Sequence, residues 1–361
     1  MRIASHYREK CIALGKLTCM CICGIATSAM MGQAGTPQLS DACVMRLSDR
    51  PVTVVVPSRP GGGYDTYARA IASEMEHTIG YTVRVINVGG AGGAIALAQV
   101  EAQSDDEILI YINDIGSLVN STDTTASLGF GSDAFEILSV FLSEPETWLA
   151  TENLNLVDPD LSQLIFSTTS LGSNLVPIAL ASDVLGLTVQ IVPGYDGSAE
   201  SAAAVMRGET DLTTASLSSA RKSAQSSDLE PVMVISDGPA KQAPDLPYLL
   251  GPGSVFDRRS VNWSEAERTR KLELGKTVVT LATTRRALFT AATVDEETLS
   301  CLRVATDLTL SSERLAAQLE QQRRPLDPQS SEKSRQIFTD VRQAFAENRD
   351  VIRAQADAFG Q

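Results

Sequence analysis

The sequence predicts an α/β protein of two lobes, each built on a sheet with a parallel core and joined to the other by crossing strands. Three observations carry this expectation. Val52 to Val56 is a run of valine and threonine that reads as a buried strand; it stops at Pro57, and three glycines lead into a helix. The alternation of strand, short loop and helix then repeats down to Ser117, as in a right-handed parallel sheet. A second succession of strand, loop and helix opens at Leu164, and 361 residues are too many for one ordinary core.

The first helix is expected from Tyr64 to Ile79, because Tyr67, Ile71, Met75 and Ile79 recur every four residues with Ala68 and Ala72 beside them. Thr82 to Asn87 reads as a second strand, Val88 to Gly93 as a glycine loop, and Ala94 to Ala102 as an alanine-rich helix. Ile108 to Ile112 is the third strand, ending at Asn113-Asp114-Ile115-Gly116-Ser117. Ile137 to Leu142 and Trp148 to Ala150 supply the crossing strands. In the second lobe Leu164 to Thr169 is a strand, Leu175 to Leu185 a helix, and Thr188 to Val192 a strand. The helix Ala199 to Met206 follows, closed by Gly208. Asp211 to Ser216 and Pro231 to Ile235 are short strands. Residues 237–275 read as loop-rich, Val278 to Ala282 as a returning strand, and Asp295 to Ser311 and Ser331 to Ala358 as closing amphipathic helices. The expected boundaries are 46–145 with 276–361 for the first lobe and 146–275 for the second.

Residues 1–34 read as an export signal, with Arg2, Arg8, Lys10 and Lys16 before an apolar run from Leu17 to Met31 and small residues for cleavage near Ala34. That run is shorter than the roughly 20 residues of a spanning helix. The whole chain has 30 basic and 44 acidic residues; losing those four basic residues and Glu9 leaves 26 against 43, a net charge of −17. Such a charge argues against nucleic acid as a partner and requires local dipoles to hold any anionic ligand. Four of the six cysteines leave with the leader. Cys43 and Cys301 remain, in what would be an oxidising compartment, either as one disulfide closing a long loop or as two separate thiols. Two distant cysteines do not make a zinc site, so no metal and no cofactor is expected. Residues 35–50 read as an N-terminal tail.

Enzyme chemistry finds little to build on. His6 falls in the leader and His77 on a helix surface, which leaves no histidine for a triad or a metal centre. Gly275-Lys276-Thr277 ends like a phosphate loop, but Arg270 stands where its first glycine belongs; Gly90-Ala91-Gly92-Gly93-Ala94-Ile95 fails as a dinucleotide fingerprint at Ile95. What remains is a set of glycine and hydroxyl loops at strand ends, where open α/β sheets bind ligands. The first lobe offers Ser58, Arg59, Gly61, Gly62, Gly63, Tyr64 and Asp65, then Gly92 and Asn113. The second offers Thr168, Thr169, Gly172, Ser173 and Asn174, then Tyr195 and Ser198. Glycines let backbone N–H groups approach an anion, and the helix end adds partial positive charge. The chemistry on offer is binding.

Pro57 to Arg69, with a proline, a glycine pair, an aspartate and an arginine in fixed order, resembles the signature of the substrate-binding proteins of tripartite tricarboxylate transporters. Asn87 to Gly93, Ser167 to Ser173, Pro193 to Asp211 and Ala240 to Pro247 are similar to further loops of that family, in the same order, over about residues 50–355. The resemblance implies a type II periplasmic binding fold closing on a small organic carboxylate, held by backbone amides of the glycine loop and of the second lobe's first loop. It also implies a periplasmic monomer that hands its ligand to a membrane permease of one large and one small subunit. The same fold could instead serve a signalling receptor as an extracytoplasmic sensor partner. The chain departs from the family pattern at Val88-Gly89, at Val176, at Ser104 to Glu107 and at Ser58-Arg59. The last pair lies in the expected pocket, and Arg59 is a candidate fork for a carboxylate. Asp65 stands four residues before Arg69, so it either pairs with that arginine or meets a ligand donor.

Overall fold

A computed structural model describes residues 38–124, 128–151, 154–169 and 174–359. The export signal, its cleavage near Ala34, and Gly172 and Ser173 lie outside the described residues. Helix α1 (Asp41–Ser48) precedes strand β1 (Val52–Val56); then come α2 (Gly63–Ile79), β2 (Val83–Asn87), α3 (Ala94–Glu101), β3 (Ile108–Asp114) and α4 (Ile115–Val119). β4 (Phe135–Glu144) and β5 (Glu146–Thr151) are separated by Pro145 alone. After β6 (Gln163–Ser167), a π-helical turn Val176–Leu180 leads into α5 (Ala181–Val184). β7 (Thr188–Val192), α6 (Ser198–Met206), β8 (Leu212–Ser216), α7 (Leu217–Ala224), β9 (Leu229–Asp237) and β10 (Tyr248–Leu250) follow. The chain ends through α8 (Val255–Arg259), α9 (Glu265–Leu281), β11 (Thr284–Ala291), α10 (Glu296–Leu310), α11 (Glu313–Gln321), α12 (Ser331–Glu347) and α13 (Arg349–Phe359).

Two sheets result, in the orders β2-β1-β3-β11-β4 and β10-β9-β5-β8-β6-β7. In the first, β1 pairs in parallel with β2 and β3, and β11 inserts antiparallel between β3 and β4. In the second, β6 is parallel to β7 and β8, and β5 is antiparallel to β8 and β9. This is the α/β architecture of two parallel-core sheets that the sequence predicts. β4 lies in one sheet and β5 in the other, so the crossing is made where Pro145 offers no N–H to continue a ladder. Every residue of β1 and of β3 is buried, which is why their side chains form near-continuous apolar runs. One face of α2 packs on this sheet through Tyr67, Ile71, Met75 and Ile79.

Three expectations are corrected. Val278 to Ala282 is not a strand but the end of α9, which runs across the lobe boundary expected at residue 275. Its buried residues Lys271, Gly275, Val278 and Leu281 keep helical spacing, and Ser264 caps its first turn by accepting from the Glu267 N–H at 3.2 Å. β-branched valines obscured that pattern. The long closing helix is two, divided at Asn348. The expected N-terminal tail holds α1, fixed by a disulfide between Cys43 and Cys301 of α10, with Cα atoms 5.2 Å apart. No described helix is long and apolar enough to cross a membrane.

Candidate functional site

The loops that leave the carboxyl ends of strands in both sheets face one cavity of about 1050 Å³. From the first sheet, Ser58, Arg59, Gly61, Gly62, Gly63 and Tyr64 line it after β1, and Gly92 and Asn113 after β2 and at the end of β3. The N-cap of α2 is Gly62, which gives no side-chain oxygen to the first turn, so the helix presents its free N–H groups on the cavity side. Gly63 has a packing reason to lack a Cβ: one placed there would stand 3.3 Å from Arg286 Nη1. Gly93 sits at a left-handed φ of 95°, with Pro57 and Tyr111 3.3 and 3.4 Å from where its Cβ would be, and so seats the second glycine loop close against the first.

Asp65 does not line the cavity. It is buried, and it accepts from the Gly61 N–H at 2.8 Å, from Asn87 Nδ2 at 3.0 Å and from Arg69 Nε at 3.1 Å. Burial raises its pKa, but the Arg69, Gly61 and Asn87 hydrogen bonds outweigh that and hold it below the usual carboxylate range. Its geometry is that of a brace behind the loop. The helix-spaced pair with Arg69 is the alternative that the structure bears out.

From the second sheet, Thr168, Thr169 and Asn174 line the cavity after β6, and Tyr195 and Ser198 after β7. Asn174 Oδ1 accepts from Thr214 Oγ1 at 3.2 Å. Arg59 is paired with Asp196 of this second loop, its Nη2 2.5 Å from the Asp196 carboxylate, and both side chains are largely exposed. Its guanidinium therefore bridges two loops at the mouth.

Asp114 lies in the expected loop Asn113 to Ser117, but the sequence reading missed the rest of the cavity floor, where Glu146, Thr214, Ser216, Thr284 and Arg286 converge on it from β5, β8 and β11. Arg286 is 5% exposed. Its Nη2 donates to Ser216 Oγ at 2.6 Å and lies 3.6 Å from Glu144 Oε1. Its guanidinium stands 5.1 Å from the Tyr64 ring centre and 5.2 Å from that of Tyr67, while Nε and Nη1 have no hydrogen-bond partner among the described residues. Glu144 is also held across the sheets by the Ser218 N–H and hydroxyl, at 2.8 and 2.9 Å. Glu146 Oε2 accepts from Thr284 Oγ1 at 2.7 Å. Burial, with Asp114 and Glu144 nearby, pushes the Glu146 carboxyl up to about 7. Burial also raises Asp114, whose oxygens accept from the Ser117 and Arg285 N–H groups, and it raises the Tyr64 phenol. The available signal was an arginine pair at the start of a strand: Arg285-Arg286 directly precedes the apolar Ala287-Leu288-Phe289.

No family model matches the chain. It is similar to a UPF0065 protein of Agrobacterium vitis, 26% identical over 225 residues, a stretch covering 59% of this chain and 64% of that relative. The match thus spans less than two thirds of that relative's length. Among solved structures, the periplasmic binding protein BugD superposes with a TM-score of 0.65 at 19% identity, covering 85% of this chain and 98% of that one. MatC of Rhodopseudomonas palustris, solved with bound malate, gives 0.63 at 19% identity over 84% of this chain and 99% of that one. The fold is therefore the two-lobe fold of periplasmic binding proteins.

Proposed function

We propose that the chain is a substrate-binding protein of the tripartite tricarboxylate-transporter type and that it captures a small organic carboxylate between its two lobes, a reading supported by its UPF0065 relatives and its two-lobe fold. In this reading it is exported to the periplasm, acts there as a monomer, and delivers its ligand to a two-subunit membrane permease. Binding, not turnover, is its activity. The observation that supports this most directly is the uncapped N-terminus of α2, opening on a cavity that is shared with the second lobe's loops. Free N–H groups and the helix dipole favour an anion there despite the acidic chain. Thr168, Thr169, Asn174 and Ser198 complete the cage with hydroxyl and amide groups from the opposite side. The lobe boundaries drawn from the sequence go with this reading as the two jaws.

A thermal-shift screen of mono-, di- and tricarboxylates, with sugars and inorganic cations as controls, tests the reading. A carboxylate should raise the melting temperature progressively with the logarithm of its concentration once that exceeds Kd. Stabilisation by sugars or cations alone would overturn it.

A further inference from the structure

The cavity is not uniformly suited to anions. Its loops offer backbone N–H groups, but its floor carries carboxylates, and these differ in how far the protein has used them. Asp114 is occupied by the Ser117 and Arg285 N–H groups. Glu144 is occupied by Ser218 and by Arg286. Glu146 is bound by the Thr284 hydroxyl at 2.7 Å, and no lysine or arginine among the described residues forms an ion pair with it. It lines the cavity at 9% exposure, at the first residue after Pro145, where the chain passes between the sheets.

A buried carboxylate with only neutral partners is costly unless a further donor reaches it. Within the cavity, such a donor can come from the ligand. Above the pH of about 7 at which Glu146 ionises, a second ligand carboxylate in the same place would meet it as a like charge in a poorly solvated site. We propose that the ligand carries, beside the carboxylate held by the glycine loops, a hydrogen-bond donor, either an ammonium or a hydroxyl group, and that Glu146 receives it. This rests on the carboxylate reading above and narrows its substrate class from any small organic acid to a substituted one. Glu146 is then a specificity-determining residue, and the two ends of the ligand are read by opposite polarities.

The test is calorimetric titration of the full chain with propionate, succinate and adipate and with their 2-hydroxy and 2-amino counterparts. One substituted series should bind about tenfold or more tightly than its plain acids, the scale of a hydrogen bond to a charged group. Glu146→Gln should collapse that preference and raise the affinity for plain diacids, whose second carboxylate no longer faces a like charge. The wild-type comparison needs no variant and stands if Glu146→Gln fails to fold. Plain acids binding as tightly as the substituted ones, or a preference that survives Glu146→Gln, would overturn the proposal and leave the carboxylate reading intact. Binding of none of the nine compounds, alongside stabilisation by a sugar, would overturn both.

Discussion

Replacing Arg59 by alanine separates two roles for the least family-like residue of the first loop. As a fork gripping a ligand carboxylate, its loss should weaken binding at least tenfold, about 1.4 kcal/mol. The structure instead pairs it with Asp196 across the cavity mouth, where the two side chains are 73% and 55% exposed. Ion pairs that open to water contribute about 0.2–1 kcal/mol, because solvent screens the attraction and two long side chains lose freedom. If the pair forms only when the lobes close, that energy passes into ligand affinity, and Arg59→Ala costs about 1.4- to 5-fold. Calorimetry with a carboxylate found in the thermal screen measures it. Repetition at high salt should shrink the difference between wild type and variant, since the Debye length falls to about 3 Å at 1 M. The charge swap of Arg59→Asp with Asp196→Arg should restore most of the affinity. A loss beyond tenfold that the swap does not recover would refute the latch and return Arg59 to the ligand.

Arg286→Met should lower the free energy of unfolding by about 3–5 kcal/mol in chemical denaturation, because Glu144 is left buried without its countercharge. The same variant should weaken carboxylate binding by removing the positive charge that packs under the first turn of α2. Glu146 gives a pH signature: with its carboxyl at about 7 against an ordinary 4.5, the folded state holds a proton that the unfolded state has released. Stability from this group is fully present below 4.5 and is lost as pH rises through about 7, and Glu146→Gln should flatten that slope in denaturation curves taken across the window. Changing Cys43 and Cys301 together to serine opens a loop of 258 residues and should destabilise by about 2–5 kcal/mol, while ligand affinity stays the same because neither residue lines the cavity.

The periodic parts of the chain were legible because their own neighbours determine them. β1 and α2 could be read to within a residue from a valine run and a four-residue repeat. The glycine loops were legible as a site because three glycines ahead of a helix exceed what a turn needs, and those of them that are described do line the cavity. The Asp65–Arg69 pair was visible as helical spacing, but its use as a brace depends on Gly61 and Asn87, which only folding brings together. The floor beyond Asp114 was illegible for the same reason. Asp114, Glu146 and Arg286 come from three strands, and in an acidic chain no single carboxylate stands out. Val278 to Ala282 misled because β-branched residues favour strands locally, whereas burial against neighbouring helices decided for α9.

β11 lies between β3 and β4, although about 140 residues separate it from the end of the latter. A chain synthesised amino end first therefore presents β3 with one edge open until Thr284 to Ala291 arrives. That edge belongs to seven buried residues, Ile108 to Asp114, and an unpaired apolar edge is a template for pairing with another chain. Late translation and late closure coincide: the strand that completes the sheet also carries Arg286 to the cavity floor. Until the carboxy-terminal third has emerged, the molecule has its glycine loops but no finished jaw to hold them.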